Sequence, residues 1–515
     1  MSSVLVIGSL FEPRSQAHGH HSRKFWPQTA VSFMMWWYNL CLRCHPEDTT
    51  ASWQPSWWAK VFPFPFFPTY RQSAQQLCIL IFLLLTWGIA CVEIGETVAI
   101  NGELFNMTIL VIAAYLIGWL WSKSTTLPAF IAMLLTGIIF QNLQLVQIPD
   151  KYRKLNQDLR KVALVIMLMR TGLGLSAKVL KQHYKSILQL GILPWAVECI
   201  AVSITTHLFL SLPGIWSFLL GCIIASVSTA VLVPCMYRLG DEGYGAAKEI
   251  PTILLATADI GDTISVAIFV VILNVIFSTE SAFDILLGPL SILVGVVLGS
   301  IWGTIASVVP EMGDTYLVPL RFLFLFLGGL FLLFTCNSIA WSGAGPLAIV
   351  SSGFTAAHFW NKQGWVINKN PVTNIFRILW IFFEPILFVF TGAQITIGAV
   401  NADAVKLGSL CLLASLMLRM VVTFIISFGC GLNKHEKLFI GVTGLAKATT
   451  QAALGPVALD LIRNGHTTGI LSEEEEKYAS IVLTMSVLSV VLFAPLGYTL
   501  ITVTGPRLLS RDPLS

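Results

Sequence analysis

Apolar runs, most of them long enough to cross a bilayer and parted by short polar breaks, fill the chain from Leu77 to Val503. A hydrocarbon core takes roughly 20 helical residues to span. Inside it every backbone polar group needs a partner within the protein, which leaves such runs little choice but helix. The runs fall at 77–93, 104–122, 126–146, 162–177, 186–211, 213–237, 250–278, 284–308, 317–336, 343–360, 374–399, 404–430, 438–462 and 478–503. The expected fold class is therefore an all-α polytopic membrane protein with about fourteen transmembrane helices. Composition agrees, since 11% of residues are charged against about 25% in a soluble domain.

An even number of crossings puts both termini on one side, and the clustering of basic residues in alternate loops makes that side cytoplasmic. Arg71, Lys123, Lys178, Lys181, Lys185, Arg238, Lys248, Lys362, Lys369, Lys434, Lys437, Arg507 and Arg511 gather there. Glu93, Glu96, Glu103, Glu280 and the run Glu473 to Glu476 fall outside. The stretch 147–161, read as an outer loop, breaks the pattern with Lys151, Arg153, Lys154, Arg160 and Lys161. The net charge of +4 is small for the length and reports topology rather than a nucleic-acid surface. The scattered cysteines, many inside apolar runs, read as small core residues rather than a disulfide framework.

Residues 1–70 read as an irregular cytoplasmic segment, 71–510 as the membrane domain and 511–515 as a short cytoplasmic tail. The first segment holds His18, His20 and His21, a proline-aromatic tract from Phe62 to Pro68, and Cys41-Leu-Arg-Cys44-His45. That last spacing suits covalent haem attachment, but with no haem-binding fold around it chance explains it better. Asn106-Met-Thr108 is a glycosylation sequon close to the membrane.

The run 250–278 carries two acids, in Ala258-Asp259-Ile-Gly261-Asp262-Thr. A charged residue at a helix centre costs about 2.5–3.5 kcal/mol on insertion scales, so intramembrane acids are functional candidates by default. Residues three apart share a helix face, so Asp259 and Asp262 could share a proton or a cation. The preceding run reads Ser226-Val-Ser228-Thr229-Ala-Val-Leu-Val-Pro234, with mid-span hydroxyls and a proline that removes a backbone hydrogen bond. An interrupted helix here would expose half-helix ends beside Asp262, the way transporters build ion sites near the midplane. A continuous helix with Ser and Thr bonded back to the preceding turn is the other reading. A second interruption is expected in Gly441-Val-Thr443-Gly444-Leu-Ala-Lys447-Ala-Thr449-Thr450-Gln451, seven runs later, as an inverted repeat would leave it. Lys447 would then lie near the crossing, tuning the site or partnering a buried carbonyl or acid. Glu198, Arg419 and Glu384 also lie mid-span. Glu198 and Arg419 are expected to pair, structurally or as a gating or coupling pair. Arg170 has no role that spacing assigns. Gly295, Gly299 and Gly303, four apart on one face, read as a close helix–helix contact.

These residues in this order resemble the monovalent cation/proton antiporters, most closely the animal sodium/hydrogen exchanger domain-containing proteins. The resemblance spans about residues 75–510. It rests on Arg170-Thr-Gly-Leu-Gly-Leu175, Ser228-Thr-Ala-Val-Leu-Val-Pro234, Gly243-Tyr-Gly245 with Pro251-Thr252, Phe383-Glu-Pro385-Ile-Leu-Phe388, and Lys447-Ala-Thr449-Thr-Gln-Ala-Ala453 with Val457-Ala-Leu-Asp460. It implies a fourteen-helix homodimer in membrane lipid, with a dimerisation domain and a mobile core that carries two crossed broken helices. Transport by such proteins is elevator-like. Asp262 falls on the family's ion-binding aspartate, Ser228 and Thr229 on the first broken helix, Lys447 and Thr449 on the second, and Glu198 and Arg419 on a buried ion pair. Close relatives carry two adjacent aspartates where this chain has Gly261-Asp262, and Ser-Pro where it has Ser228-Thr229.

The expected function is exchange of Na+ or Li+ for H+, with Asp262 as carrier, Ser228, Thr229 and Asp259 as auxiliary ligands and Lys447 as electrostatic tuner. Burial disfavours an ionised carboxyl and a bound cation favours it. One carboxylate then takes a proton or a cation, never both. No cofactor is implied, and no metal beyond the transported ion. Gly261 leaves room for proton-coupled chloride transport or for a relative that transports nothing. A channel is another alternative. An intramembrane aspartyl protease needs Gly-x-Gly-Asp, whereas position 259 is Asp, and the chain has no Tyr-Asp dipeptide.

Overall fold

The computed structural model describes residues 70–146, 149–277, 282–339, 343–365, 370–399, 402–463 and 473–511, together with scattered residues between 38 and 69 and Trp341. The histidine cluster, Cys44-His45, Glu280, Lys369 and 512–515 lie outside the described residues. The chain divides into two units, Met1–Thr86 and Trp87–Ser515. In the first, Trp58 Nε1 donates to the Pro68 carbonyl at 3.4 Å, and Trp58 stands edge-on to Tyr70.

Among the described residues the secondary structure is helical, with one isolated bridge, Tyr244 to Arg511. The helices are α1 (Tyr70–Ile94), α2 (Glu103–Ser124), α3 (Ala129–Asn142), α4 (Arg153–Gly174), α5 (Ala177–Leu210), α6 (Gly214–Ala225), α7 (Thr229–Asp241), α8 (Ile250–Phe277) and α9 (Ala282–Val308). They continue with α10 (Leu317–Ser338), α11 (Ala344–Lys362), α12 (Pro371–Gly392), α13 (Ala402–Ile426), α14 (Lys434–Thr443), α15 (Thr449–Leu454), α16 (Val457–Arg463) and α17 (Glu473–Leu508). Every apolar run read above coincides with one or more of them. Among the described residues ten stretches, with α6 and α7 counted as one, are long and apolar enough to cross a membrane. Helix α3 is apolar but short, α4 is rich in charge, and 434–463 is cut into three pieces.

The basic stretch 153–161 is not a loop. It forms the opening turns of α4, and it can enter the helix because its most buried cation, Arg160, is paired with Asp460 of α16. Local chemistry fixes other ends. Pro371 opens α12 behind Asn370, whose side chain accepts from Val372 N at 2.9 Å. At α14 the Glu436 side chain reaches back to accept from Asn433 N at 2.7 Å.

Within the second unit the helices pack as two bundles. One holds α5 to α8 and α13 to α17, and the other holds α2 to α4 and α9 to α12. They meet where α8 lies against α4, α9 and α11, where α12 touches α15, and where α17 passes α3. The second bundle is drawn together by the glycine row of α9. A Cβ at Gly295, Gly299 or Gly303 would stand 2.5, 2.2 or 2.4 Å from the carbonyl oxygens of Ala344, Ala348 and Ser352 of α11. Only a residue without a side chain permits that approach. Gly299→Leu should force α9 and α11 apart at a cost of about 1–3 kcal/mol or more. The expected result is a lower midpoint in fluorescence-detected thermal unfolding of the purified protein; an unaltered midpoint would refute the close-packing account.

Candidate functional site

Helix α6 ends at Ala225, and residues 226–228 are extended before α7 begins. A helix ending inside a bundle leaves its last four carbonyls without intrahelical partners. Each of these four accepts from a side chain of another segment. Ser265 Oγ donates to Cys222 O at 2.9 Å, Gln451 Nε2 to Ile223 O at 3.0 Å, Lys447 Nζ to Ile224 O at 2.7 Å and Arg419 Nη1 to Ala225 O at 2.6 Å. Two of the four donors are cations, which also suits the negative end of a helix dipole.

The second break, 444–448, lies between α14 and α15 and meets the first directly. Ser228 N donates to Ala446 O at 2.7 Å, Thr449 N to Ser228 Oγ at 3.2 Å, and the hydroxyls of Ser228 and Thr449 are 3.0 Å apart. Gln451 caps its own helix by accepting from Ala448 N at 2.8 Å.

Against this junction stands α8. Asp262, 1% exposed, accepts at Oδ1 from Ser226 Oγ at 2.6 Å and from Thr450 Oγ1. The hydroxyls that reach Asp262 are thus Ser226 and Thr450, not Ser228 and Thr229. Ser228 instead ties the two breaks together through Ala446 and Thr449, and Thr229 is half-buried at the start of α7. Sequence held a signal for both missed residues. Ser226 is the first polar residue after the α6 run, and Thr450 follows Thr449 in the turn of α15 that comes directly after the second break.

Asp259 does not join this ligand set. Its carboxylate points to the other bundle, where its Oδ2 lies 4.0 Å from where a Cβ at Gly174 of α4 would be. Arg170, one turn earlier on α4, is close enough to Asp259 and Glu384 to act on both electrostatically, and stacks over Trp380 at 5.5 Å. The two acids share a helix face, yet one addresses each bundle.

Glu198 of α5 accepts from both Arg419 and Lys447, the latter at 2.9 Å. Lys447 therefore lies in one network with Glu198 and the end of α6, donating also to the carbonyls of Ile224 and Ser226. Gly261 has space beside it. A Cβ there would meet nothing nearer than Gly191 O at 3.6 Å, and the residue lines a pocket with Ala225, Val227, Thr257 and Arg419.

Buried polar groups gathered where two membrane helices break are a hallmark of secondary transporters. The chain belongs to the sodium/hydrogen exchanger family: the family described as "Sodium/hydrogen exchanger, transmembrane" matches residues 108–498. It is similar to human sodium/hydrogen exchanger 9B2, 34% identical over 440 residues that cover 83% of this chain and 79% of the relative. Human sodium/hydrogen exchanger 9B1 is 28% identical over 448 residues, covering 83% and 82%. The fold matches that of the sodium proton antiporter MjNhaP1 from Methanocaldococcus jannaschii with a TM-score of 0.64 at 19% identity, over 79% of this chain and 98% of that one.

Removing the acid of the buried network leaves two cations without their counter-charge. Glu198→Gln should destabilise the protein by about 3–5 kcal/mol, seen as poor recovery of monodisperse protein or a sharply lowered thermal midpoint. Wild-type stability in that variant would show that Glu198 does not hold the junction.

Proposed function

We propose that the protein exchanges a monovalent cation, Na+ or Li+, for H+ across its membrane, with the Asp262 carboxylate carrying either ion in turn. The single observation that carries this reading is the Asp262 carboxylate held between hydroxyls of both helix breaks. Names of the relatives support the cation/proton pair, and their membership in one family with this chain supports reading it as a transporter rather than an enzyme. A carboxylate freed of its proton offers an oxygen ligand to a cation, and the Ser226 and Thr450 oxygens lie beside it. Proton and cation compete for one charge, so the loaded site is neutral whichever it holds.

In this reading the bundle of α5 to α8 and α13 to α17 is the mobile core, and the other bundle is its scaffold and dimer contact. Movement is elevator-like, fourteen segments cross the membrane, and the two breaks are the crossed helices of an inverted repeat. The Glu198–Arg419–Lys447 network holds the half-helix ends together while the core moves. Lys447 then tunes the site through the α6 carbonyls rather than by touching the carrier.

Three outcomes test this in proteoliposomes with an imposed pH gradient. Asp262→Asn should abolish Na+- or Li+-driven proton movement while the protein stays folded; undiminished exchange would overturn the assignment. Competition requires the apparent KM for Na+ to rise as pH falls, approaching about tenfold per unit once the carrier is mostly protonated. A KM independent of pH would separate the two ions. With one carboxylate per cycle, exchange should be electroneutral in the wild type, and Gly261→Asp, whose Cβ has room at this position, should make it sensitive to membrane potential. Proton movement driven by chloride and not by Na+ or Li+ would refute the cation reading.

A further inference from the structure

A second buried network lies away from Asp262, on the boundary between the two bundles. Arg160 of α4, 5% exposed, pairs with Asp460 of α16, 3% exposed. Asp460 Oδ1 also accepts from Gln394 Nε2 at 3.1 Å, just beyond the end of α12. Both partners of Asp460 belong to one bundle and Asp460 to the other. One turn further from the pair on the same face of α4 is Asn156, 3% exposed. Among the described residues three polar atoms of this cluster find no partner within the protein: Arg160 Nη1, Asn156 Oδ1 and Gln394 Oε1.

Buried polar groups are nearly always satisfied, and each one left open carries a desolvation cost. A donor and two acceptors left open around one interbundle ion pair are groups that water could satisfy once the bundles part. None of these residues reaches Asp262, and none belongs to the network that holds the helix breaks. The same boundary is bridged nearby by Thr391 Oγ1 of α12, which donates to Ala452 O of α15 at 2.9 Å. Thr450, a ligand of Asp262, lies two residues from Ala452. Separation of the bundles along this boundary would therefore also pull on α15, whose Thr450 is bonded to Asp262.

We propose that Arg160 and Asp460, with Gln394, form a latch that holds the two bundles together in this state, and that its opening limits how fast the transporter reorients. The inference rests on the two-bundle movement described under the proposed function. Arg160 and Asp460 are positioning residues, remote from the transported ion. The latched state loses its counter-charge when either partner is neutralised, so that state is the one raised in energy. The barrier to leaving it then falls.

The test uses the full chain reconstituted in liposomes, as wild type, Asp460→Asn, Arg160→Gln, and the charge swap Arg160→Asp with Asp460→Arg. Turnover is normalised to the folded transporter in each sample. Each single variant is expected to turn over at least about threefold faster with an unchanged apparent KM for Na+, because only the reorientation step is relieved. The charge swap should return turnover towards wild type. Equal or lower turnover per folded transporter, or a changed KM alone, would overturn the latch and leave a structural pair. Amide hydrogen exchange without ion gradients gives a second reading that does not depend on which ion moves. Both singles should speed exchange in 153–163 and in 457–463 together, and the swap should slow it again. Acceleration confined to the mutated helix, or absent, would also overturn the latch. If the wild type moves no cation while both segments respond together, the ion assignment fails and the latch stands.

Discussion

A helix that stops in the middle of a membrane protein must find donors for four carbonyls, and the end of α6 finds all of them in side chains from elsewhere. Ser265 comes from α8, Arg419 from α13, Lys447 from the second break and Gln451 from α15. The demand of one broken backbone thus gathers the segments that form the junction. Glu198 completes it by neutralising charge that Arg419 and Lys447 bring into a dry interior. Asp262 can then receive two hydroxyls from opposite sides of a junction whose backbone needs are already met.

The same helix that carries Asp262 marks the boundary between bundles. Its two acids are three residues apart, yet Asp262 is bound into the junction and Asp259 faces α4. Arg170 lies between Asp259 on one bundle and Glu384 on its own. The boundary thus carries charge at two places, around Arg170 and around Arg160, set in an apolar core that runs through both bundles.

Much of this was legible in the sequence. Apolar runs located the helices because membrane insertion tolerates little else, and the Ser226 to Pro234 and Gly444 to Gln451 stretches marked where they break. Glu198 and Arg419 could be paired because neither could be buried alone. The partners of Asp262 were less legible. Which hydroxyl in Ser226-Val-Ser228-Thr229 turns towards α8 depends on the rotation of an extended segment, and no periodicity encodes that. Arg160 was misplaced because a run of five basic residues looks like a loop until the distant Asp460 is known to face it. Long-range pairing of this kind leaves no local mark.

The complete capping of α6 also bears on how an ion could be held here. Potassium-selective pores strip their ion by offering it rings of backbone carbonyls. At this junction the carbonyls of Cys222 to Ser226 already accept the protein's own donors. What remains beside α8 is a single carboxylate and a few hydroxyl oxygens. A cation lodged at Asp262 would therefore keep part of its own water shell, and discrimination would rest on field strength and residual hydration instead of on a fitted cage.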